Sequence, residues 1–152
     1  MAYDVAVERV AARQLAAARG TAASHAELGP LILRLLDDVW ATLRQQGVRT
    51  GHNVVVYFGG PPLAIAAGVE VFEAFEATET VQPLSTPAGE VATTPHWGDY
   101  SQMRGAYAAL EAWCAANGRG RTRISWEVYG DWDEDPTRVR TDVYFLLNHA
   151  RG

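Results

Sequence analysis

The hydrophobic pattern in the first half of the chain predicts one helix and two strands. Seven apolar residues share one face at helical spacing: Leu28, Ile32, Leu35, Leu36, Val39, Trp40 and Leu43. This stripe predicts an amphipathic helix that ends before Gly47. Residues 53–58 and 65–75 are rich in valine and aromatic side chains and flank a Gly-Gly-Pro-Pro turn, so both are predicted strands. The alanine-rich residues 5–18 fit neither period by themselves.

The second half of the chain shows a similar succession of patterns. Residues 90–97 are predicted to form a strand. Asp99 is then predicted to cap the N-terminus of a helix. The next helical stripe is Met103, Ala106, Tyr107, Leu110, Trp113 and Cys114. It predicts a helix that stops at Asn117. Residues 124–129 and 139–147 are predicted strands joined by an acidic loop.

Matching positions in the two halves are separated by a nearly constant interval, which indicates an internal duplication. Tyr57 and Tyr129 lie 72 residues apart, and so do Phe72 and Tyr144. Because residues 90–97 then correspond to the ambiguous alanine-rich segment, that segment is predicted to be a strand against its helix propensity. Each half becomes a strand, a helix and two further strands.

The predicted fold is α+β, with one domain over residues 1–152. It contains two β-α-β-β repeats, at about 3–78 and 79–149, related by pseudo-twofold symmetry. Two such repeats would pack their helices on one face of an antiparallel sheet and leave a ligand cleft on the other face.

Glu127 is the one acid in the apolar segment Ser-Trp-Glu-Val-Tyr at 125–129. Side chains alternate along a strand, so Glu127 and Tyr129 share a face. We assign to the same cleft face four residues of other strands: Val55, Tyr57, Phe72 and Tyr144. A carboxylate there is either solvated or placed in a pocket. The aromatic neighbours favour a pocket for an aromatic, lipophilic or cationic guest.

Trp97 and Trp132 stand next to predicted turns near these strands. Each either lines the mouth of the cleft or lies on the surface, since large aromatic side chains near loops occur in both settings. We therefore include both tryptophans among the candidate ligand-binding residues.

Composition narrows the class of protein. With 48% hydrophobic and 20% charged residues and no apolar run of about 20 residues, the chain is typical of a globular protein and predicts no membrane span. The net charge of -5 argues against nucleic-acid binding, which depends on clustered Lys and Arg. Cys114 is the only cysteine and no secretory signal pattern is present, so we expect a cytoplasmic location. The four histidines are scattered, so neither a metal site nor a cofactor is expected.

Four short segments together resemble the GyrI-like small-molecule-binding family: H-W-G-D-Y at 96–100, A-Y-A-A-L-E-A-W at 106–113, W-E-V-Y at 126–129 and R-T-D-V-Y-F-L-L at 140–147. This family includes effector-binding domains of multidrug-responsive MerR-type and AraC-type regulators, the gyrase inhibitory protein and free-standing single-domain members. The resemblance implies the duplicated, SOUL-like fold with its cleft between the halves. It also implies that Glu127 is the ligand-facing glutamate, with Tyr129 and Tyr144 beside it.

The residues and the resemblance together indicate three functions. The first is a protein that senses or sequesters amphipathic or aromatic compounds, cationic ones among them. The second is a hydrolase that opens cyclopropane rings of DNA-alkylating natural products, with Glu127 as general base and Tyr129 or Tyr144 as hydrogen-bond donor to the oxyanion. The third is a protein-interaction role like that of the gyrase inhibitor. No helix-turn-helix pattern flanks the domain, so direct DNA binding is not expected, and a homodimer is compatible with the sequence.

Overall fold

The computed structural model describes residues 3–148 and shows an α+β fold of antiparallel strands with two α-helices, which confirms the predicted class. The strands are β1 (Ala6–Val10), β2 (Gln14–Ala22), β3 (Thr50–Gly59), β4 (Leu63–Val71), β5 (Gln82–Ser85), β6 (Gly89–Trp97), β7 (Arg121–Tyr129) and β8 (Arg140–Leu147), and the helices are α1 (His25–Gln46) and α2 (Arg104–Ala116). The chain divides into two compact units, a central unit of residues 12–86 and a terminal unit of residues 1–11 with 87–152. No helix within the described range is long and apolar enough to cross a membrane.

The central unit is a four-stranded antiparallel sheet in the order β5-β2-β4-β3, with α1 packed on it. The helix packs closely on Gly20, where an added Cβ would lie 3.0 Å from a methyl carbon of Leu31. Gly20 and Tyr57 are both paired with Ile65, and paired residues project from the same face. Tyr57 therefore lies on the face that α1 covers.

Helix α1 forms where the apolar stripe predicted it. Its buried residues are Leu31, Leu35, Leu36, Val39 and Leu43. Gly47 ends the helix with a φ of 65°, a left-handed conformation that favours glycine, and its N–H donates to the carbonyl of Leu43. Nε1 of Trp40 donates to Oδ1 of Asn53 on β3 at 3.0 Å, which orients the helix over that strand.

The terminal unit is also a four-stranded antiparallel sheet, in the order β1-β6-β8-β7. Helix α2 packs on one face through an apolar cluster. The cluster contains Met103, Ala106, Leu110 and Cys114 of α2 with Ala92, Val143, Phe145 and Leu147 of the sheet. Val143 is paired with Glu127 between β8 and β7, so Glu127 projects from the face that α2 covers.

Two strand assignments differ from the prediction. Residues 5–18 are not one strand, because β1 pairs with β6 whereas β2 pairs with β4 and β5. The break between the two strands includes Arg13, whose N–H donates to the side-chain hydroxyl of Thr86 at 2.8 Å. The predicted strand over 65–75 ends at Val71. Each unit contains one short edge strand, three longer strands and one helix, and the duplication itself stays a prediction.

The prediction that Tyr144 lies on the same face of the sheet as Glu127 is wrong. Alternation within β7 and within β8 is as predicted, but their pairing sets Trp126 opposite Tyr144 and Glu127 opposite Val143. Tyr144 and Glu127 therefore project from opposite faces of the sheet. The Tyr144 ring stacks on that of Trp126, with centroids 5.4 Å apart. Glu127 was expected on a face without a helix, and it lies instead beneath α2.

Candidate ligand-binding site

Glu127 is a buried carboxylate near the end of β7, with 5% of its surface exposed. Both of its oxygens accept hydrogen bonds from tyrosine hydroxyls, Oε1 from Tyr129 and Oε2 from Tyr107. Burying an ionised group is costly unless its hydrogen bonds are satisfied. The two hydroxyls contribute to that requirement without adding a formal charge.

Tyr107 was missed as a site residue because the sequence analysis placed it only in the apolar stripe of α2. Its ring does pack in the core, with its centroid 5.7 Å from that of Phe145. Its hydroxyl, however, reaches the sheet at Glu127. A signal was present in the sequence, since a tyrosine in a core stripe carries a polar group that needs a partner. Glu127, the one acid in the apolar segment at 125–129, was that partner.

Tyr129 ends β7 and donates to Glu127 two residues earlier on the same face. Its ring meets the ring of Tyr100 edge to face, with centroids 5.5 Å apart and an interplanar angle of 86°. Tyr100 begins a 3₁₀ turn whose first N–H groups are capped by Asp99, which accepts from Ser101 N–H at 3.0 Å. The turn before α2 therefore holds a second aromatic ring against the site.

A row of polar side chains crosses the sheet beside this group. Thr141 of β8 is paired with Tyr129 on one side and with His96 of β6 on the other. The ring of His96 is buried, and its two nitrogens lie 2.9 Å from the Tyr3 hydroxyl and 2.8 Å from the carbonyl oxygen of Asp99. The hydroxyl of Thr141 is fully buried and has no hydrogen-bond partner among residues 3–148.

Arg121 places a cation at the start of β7. Its guanidinium carbon lies 3.5 Å from the centroid of the Phe145 ring. Burial lowers the pKa of Arg121, and the nearby carboxylate of Glu111, 4.0 Å from the guanidinium, opposes that shift. Burial raises the pKa of Cys114, against the opposing positive charge of Arg121. Cys114 is therefore a protonated thiol at neutral pH.

A pocket of about 170 Å³ adjoins the site within the terminal unit, and we call it the outer pocket. Its lining residues are Gly98, Asp99, Tyr100, Trp132, Asp133, Glu134, Pro136 and Val139. Tyr100 links the outer pocket to Glu127, because its ring also packs on Tyr129. Trp132, which was predicted either to line the mouth of a cleft or to lie on the surface, lines this pocket and is 76% exposed. Within the described part of the chain, no group of three or more acidic, histidine or cysteine side chains is placed to hold a metal ion.

Trp97 and Tyr144 are not brought together with Glu127. Trp97 is paired with Arg140 on the face of the sheet that also carries Tyr144. The guanidinium carbon of Arg140 lies 5.4 Å from the centroid of the Trp97 ring. The expectation that Tyr144 shares the face of Glu127 is therefore wrong, because the pairing between distant strands decides which residues lie on the same face of the sheet. Trp97, which was expected either at the mouth of the cleft or on the surface, is 48% exposed.

The predicted residues of the central unit lie in two settings. Val55 is fully buried and Tyr57 half-buried, and both project from the face that α1 covers. Phe72 follows the end of β4, is 55% exposed and lines a separate pocket of about 500 Å³ with Leu15 and Phe75. Ligand contact by these three residues stays a prediction.

Small-molecule sites are lined mainly by apolar and aromatic side chains with a few convergent polar groups, and the side chains around Glu127 have this composition. The chain belongs to the GyrI-like family, because the family model of the GyrI-like small molecule binding domain matches residues 63–148. The family resemblance noted in the sequence is thereby confirmed. No curated protein sequence matches the chain.

Solved structures share the fold at low sequence identity. The C-terminal domain of EcmrR matches with a TM-score of 0.83 and 17% identity, covering 99% of this chain and 100% of that chain. In the EcmrR–DNA complex the match covers 58% of the EcmrR chain. A hydrolase from Listeria innocua matches with a TM-score of 0.60 and 10% sequence identity. The match covers 95% of this chain and 91% of the hydrolase chain. SAV2435 bound to tetraphenylphosphonium matches with a TM-score of 0.66 and 10% sequence identity. The match covers 97% of this chain and 94% of the SAV2435 chain.

Proposed function

We propose that this protein binds amphipathic or aromatic small molecules, organic cations among them, and senses or sequesters them in the cytoplasm. The observation that carries the proposal is the buried carboxylate of Glu127, whose oxygens accept hydrogen bonds from Tyr107 and Tyr129. The broader role in small-molecule binding follows from the family to which the chain belongs.

A buried carboxylate next to aromatic rings favours a cationic guest for two physical reasons. A unit positive charge about 4 Å away interacts with it by about 4 kcal/mol at an effective dielectric constant near 20. Each aromatic face adds about 0.5–2 kcal/mol. Desolvation of the guest and of the carboxylate offsets much of this energy. We therefore expect a net contribution from the charge of about 1.4 kcal/mol, a factor of ten in affinity.

The solved relatives support the chemical class of the guest. SAV2435 shares the fold and was solved with tetraphenylphosphonium, a rigid lipophilic cation. The C-terminal domain of EcmrR, which shares the fold more closely, is part of a protein solved in complex with DNA. The SAV2435 complex makes a lipophilic cation the appropriate first probe for this chain.

The proposal is tested by titrating tetraphenylphosphonium into the wild type and the Glu127→Gln variant by calorimetry. We expect the substitution to weaken the cation about tenfold and to leave the neutral analogue triphenylphosphine oxide unchanged. Glu8→Gln removes one exposed charge on β1 and is the matched control. Equal affinity of the cation for wild type and Glu127→Gln would overturn the proposal.

A hydrolase is the second candidate, favoured by the contact of Glu127 with two hydroxyl groups and by the fold shared with the Listeria innocua hydrolase. Glu127 would accept a proton from water as the water oxygen bonds to a strained cyclopropane carbon. The ring carbon–carbon bond would break, and Tyr129 would donate to the resulting oxyanion of a conjugated carbonyl. Tyr144 is left out of this role, because it projects from the other face of the sheet.

The two candidates are separated by incubation with an alkylating agent that contains a cyclopropane ring conjugated to a dienone. Ring-opened product from the wild type, lost in Glu127→Gln and retained in Glu8→Gln, supports the hydrolase. Saturable binding without product supports the binding protein.

A further inference from the structure

We propose that His96 is a positioning residue for the site around Glu127. Its imidazole holds the turn before α2 at the place where the Tyr100 ring packs on Tyr129, and in this way keeps the Tyr129 hydroxyl on Glu127. This role rests on the proposed function, because Tyr129 and Glu127 belong to the proposed binding site. It adds to that function a residue that acts through its neighbours and not by contact with the guest.

The hydrogen bonds of His96 define which of its ring nitrogens carries the proton. His96 is buried on β6, and its Nε2 lies 2.8 Å from the backbone carbonyl oxygen of Asp99. A carbonyl oxygen only accepts hydrogen bonds, so Nε2 is protonated and donates to Asp99. In the neutral ring Nδ1 is then an acceptor, and the Tyr3 hydroxyl, 2.9 Å away, donates to it. The two partners together fix the tautomer and the orientation of the imidazole.

The bond from Nε2 ties the turn before α2 to the sheet. The carbonyl oxygen of Asp99 also accepts from the N–H of Gln102 at 3.1 Å, which closes the 3₁₀ turn that begins at Tyr100. Hydrogen bonds of a 3₁₀ turn have poorer geometry than those of an α-helix, so a short turn of this kind is weakly held by its own bonds. The bond from His96 adds a connection to β6 at the residue next to Tyr100.

The position of the turn reaches Glu127 through two tyrosine rings. The Tyr100 ring meets the Tyr129 ring edge to face, with centroids 5.5 Å apart, and so restricts the rotation of that side chain. The Tyr129 hydroxyl donates to Oε1 of Glu127. A displaced turn would withdraw the Tyr100 ring and let Tyr129 rotate away. The ionised carboxylate would lose a donor, so the form that attracts a cation would be less favoured.

The segment that precedes β1 holds the other nitrogen of His96. The Tyr3 ring stacks on the imidazole, with centroids 6.0 Å apart and an interplanar angle of 20°. Helix α2 leaves room for this ring at Gly105, where an added Cβ would lie 3.0 Å from the Tyr3 hydroxyl oxygen. Thr94, two residues before His96 on β6, donates to the carbonyl of Asp4 at 2.8 Å. Residues 3 and 4 are therefore anchored on β6, and Tyr3 orients the donor of His96 toward the turn.

Two amide substitutions separate the two hydrogen bonds of His96. The amide nitrogen of glutamine reaches the place of Nε2, whereas that of asparagine reaches only the place of Nδ1, so His96→Gln keeps the donor to Asp99 and His96→Asn loses it. Calorimetry should show tetraphenylphosphonium weakened at least about fivefold by His96→Asn and at most about twofold by His96→Gln. Thr94→Val is the control for lost stability, because Thr94 is similarly buried on β6 and its hydrogen bond goes to Asp4 and not to the turn. Its affinity should also stay within about twofold of the wild type.

The position of Tyr129 is also measured without a ligand, from the NMR signals of its ring protons. The ring current of Tyr100 shifts these signals, so Tyr100→Ala gives the signals of a released Tyr129. We expect His96→Asn to move the Tyr129 signals toward those of Tyr100→Ala and His96→Gln to leave them in place. Proton–nitrogen correlation spectra of the wild type should show the His96 proton on Nε2. Tyr3→Phe should move the Tyr129 signals in the same direction by less, which keeps the test valid if His96→Asn fails to fold.

The outcomes separate the role of His96 from the proposed function. Unchanged Tyr129 signals in His96→Asn, equal losses of affinity in His96→Asn and His96→Gln, or a proton on Nδ1 would each overturn the positioning role. If Glu127→Gln weakens tetraphenylphosphonium and His96→Asn does not, only the role of His96 fails. If the wild type does not bind the cation, the proposed function fails, and the NMR comparison still decides whether His96 positions Tyr129.

Discussion

The hydroxyl of Tyr107 on α2 donates a hydrogen bond to Oε2 of Glu127 on β7, so a polar contact joins helix and sheet inside the terminal unit. The surrounding contact between the two elements is an apolar cluster. Apolar packing tolerates sliding of a helix more readily than a buried hydrogen bond does, because a displaced carboxylate would be left unsatisfied. The Tyr107–Glu127 contact therefore fixes the position of α2 and also shapes the candidate site.

Removal of the Tyr107 hydroxyl should destabilise the protein. We expect Tyr107→Phe to lower the free energy of unfolding by about 1–3 kcal/mol, since Oε2 of the buried carboxylate loses a donor. Urea denaturation followed by circular dichroism measures the loss. Tyr100→Phe is the control, because that side chain is half exposed, and its change should stay within about 0.5 kcal/mol. Equal losses in the two variants would contradict the structural role of the contact.

The unsatisfied hydroxyl of Thr141 leads to an unusual stability prediction. Thr141→Val should leave the free energy of unfolding unchanged or raise it, because the buried hydroxyl has no hydrogen-bond partner among residues 3–148 that the substitution could remove. Thr94→Val should lower it by about 0.5–1.5 kcal/mol, since it removes the bond to the Asp4 carbonyl. Thermal and urea unfolding of both variants provide the comparison. A loss in Thr141→Val as large as that in Thr94→Val would show that Thr141 is satisfied in the folded protein.

The packing of α2 depends on Leu110, which is fully buried in the apolar cluster. We expect Leu110→Ala to lower the free energy of unfolding by about 2–5 kcal/mol, through lost burial and the cavity left behind. Leu33→Ala on α1 removes the same atoms from a side chain that is 66% exposed, and should change stability by less than about 0.5 kcal/mol. Similar effects of the two substitutions on the urea midpoint would argue against the described core.

The ion pair between Glu90 and Arg119 should contribute stability that depends on pH. The hydrogen bond from Arg119 holds the pKa of Glu90 below its ordinary value of 4.5. Because the folded pKa is lower than the unfolded one, the contribution is fully present above the unfolded pKa and is lost as pH falls through the folded pKa. Melting temperatures of wild type and Glu90→Gln should differ at neutral pH and converge as the pH falls below the unfolded pKa and through the lower folded pKa. A constant difference across this range would exclude the ion pair as its source, and Glu8→Gln controls for the loss of one exposed charge.

Local patterns in the sequence predicted most of the elements and the central feature of the site. The apolar stripe of α1 and the alternation along β7 and β8 appear in the structure as predicted, and Glu127 is sheltered as its apolar neighbours indicated. The break between β1 and β2 left no local signal, because an alanine-rich segment lacks the contrast between apolar and polar positions that marks strand ends. The edge strand β5 is four residues long, too short for a periodic pattern.

The sequence by itself determined that Glu127 and Tyr129 share one face of a strand and that Val143 and Tyr144 lie on opposite faces, since alternation is a property of each strand alone. Only the tertiary structure decided that Glu127 pairs with Val143 and lies beneath α2, next to Tyr107, with Tyr144 on the other side of the sheet. The physical reason is that strand register and helix docking join residues far apart in the chain. A shift of one residue in register would exchange the two faces without altering any local pattern.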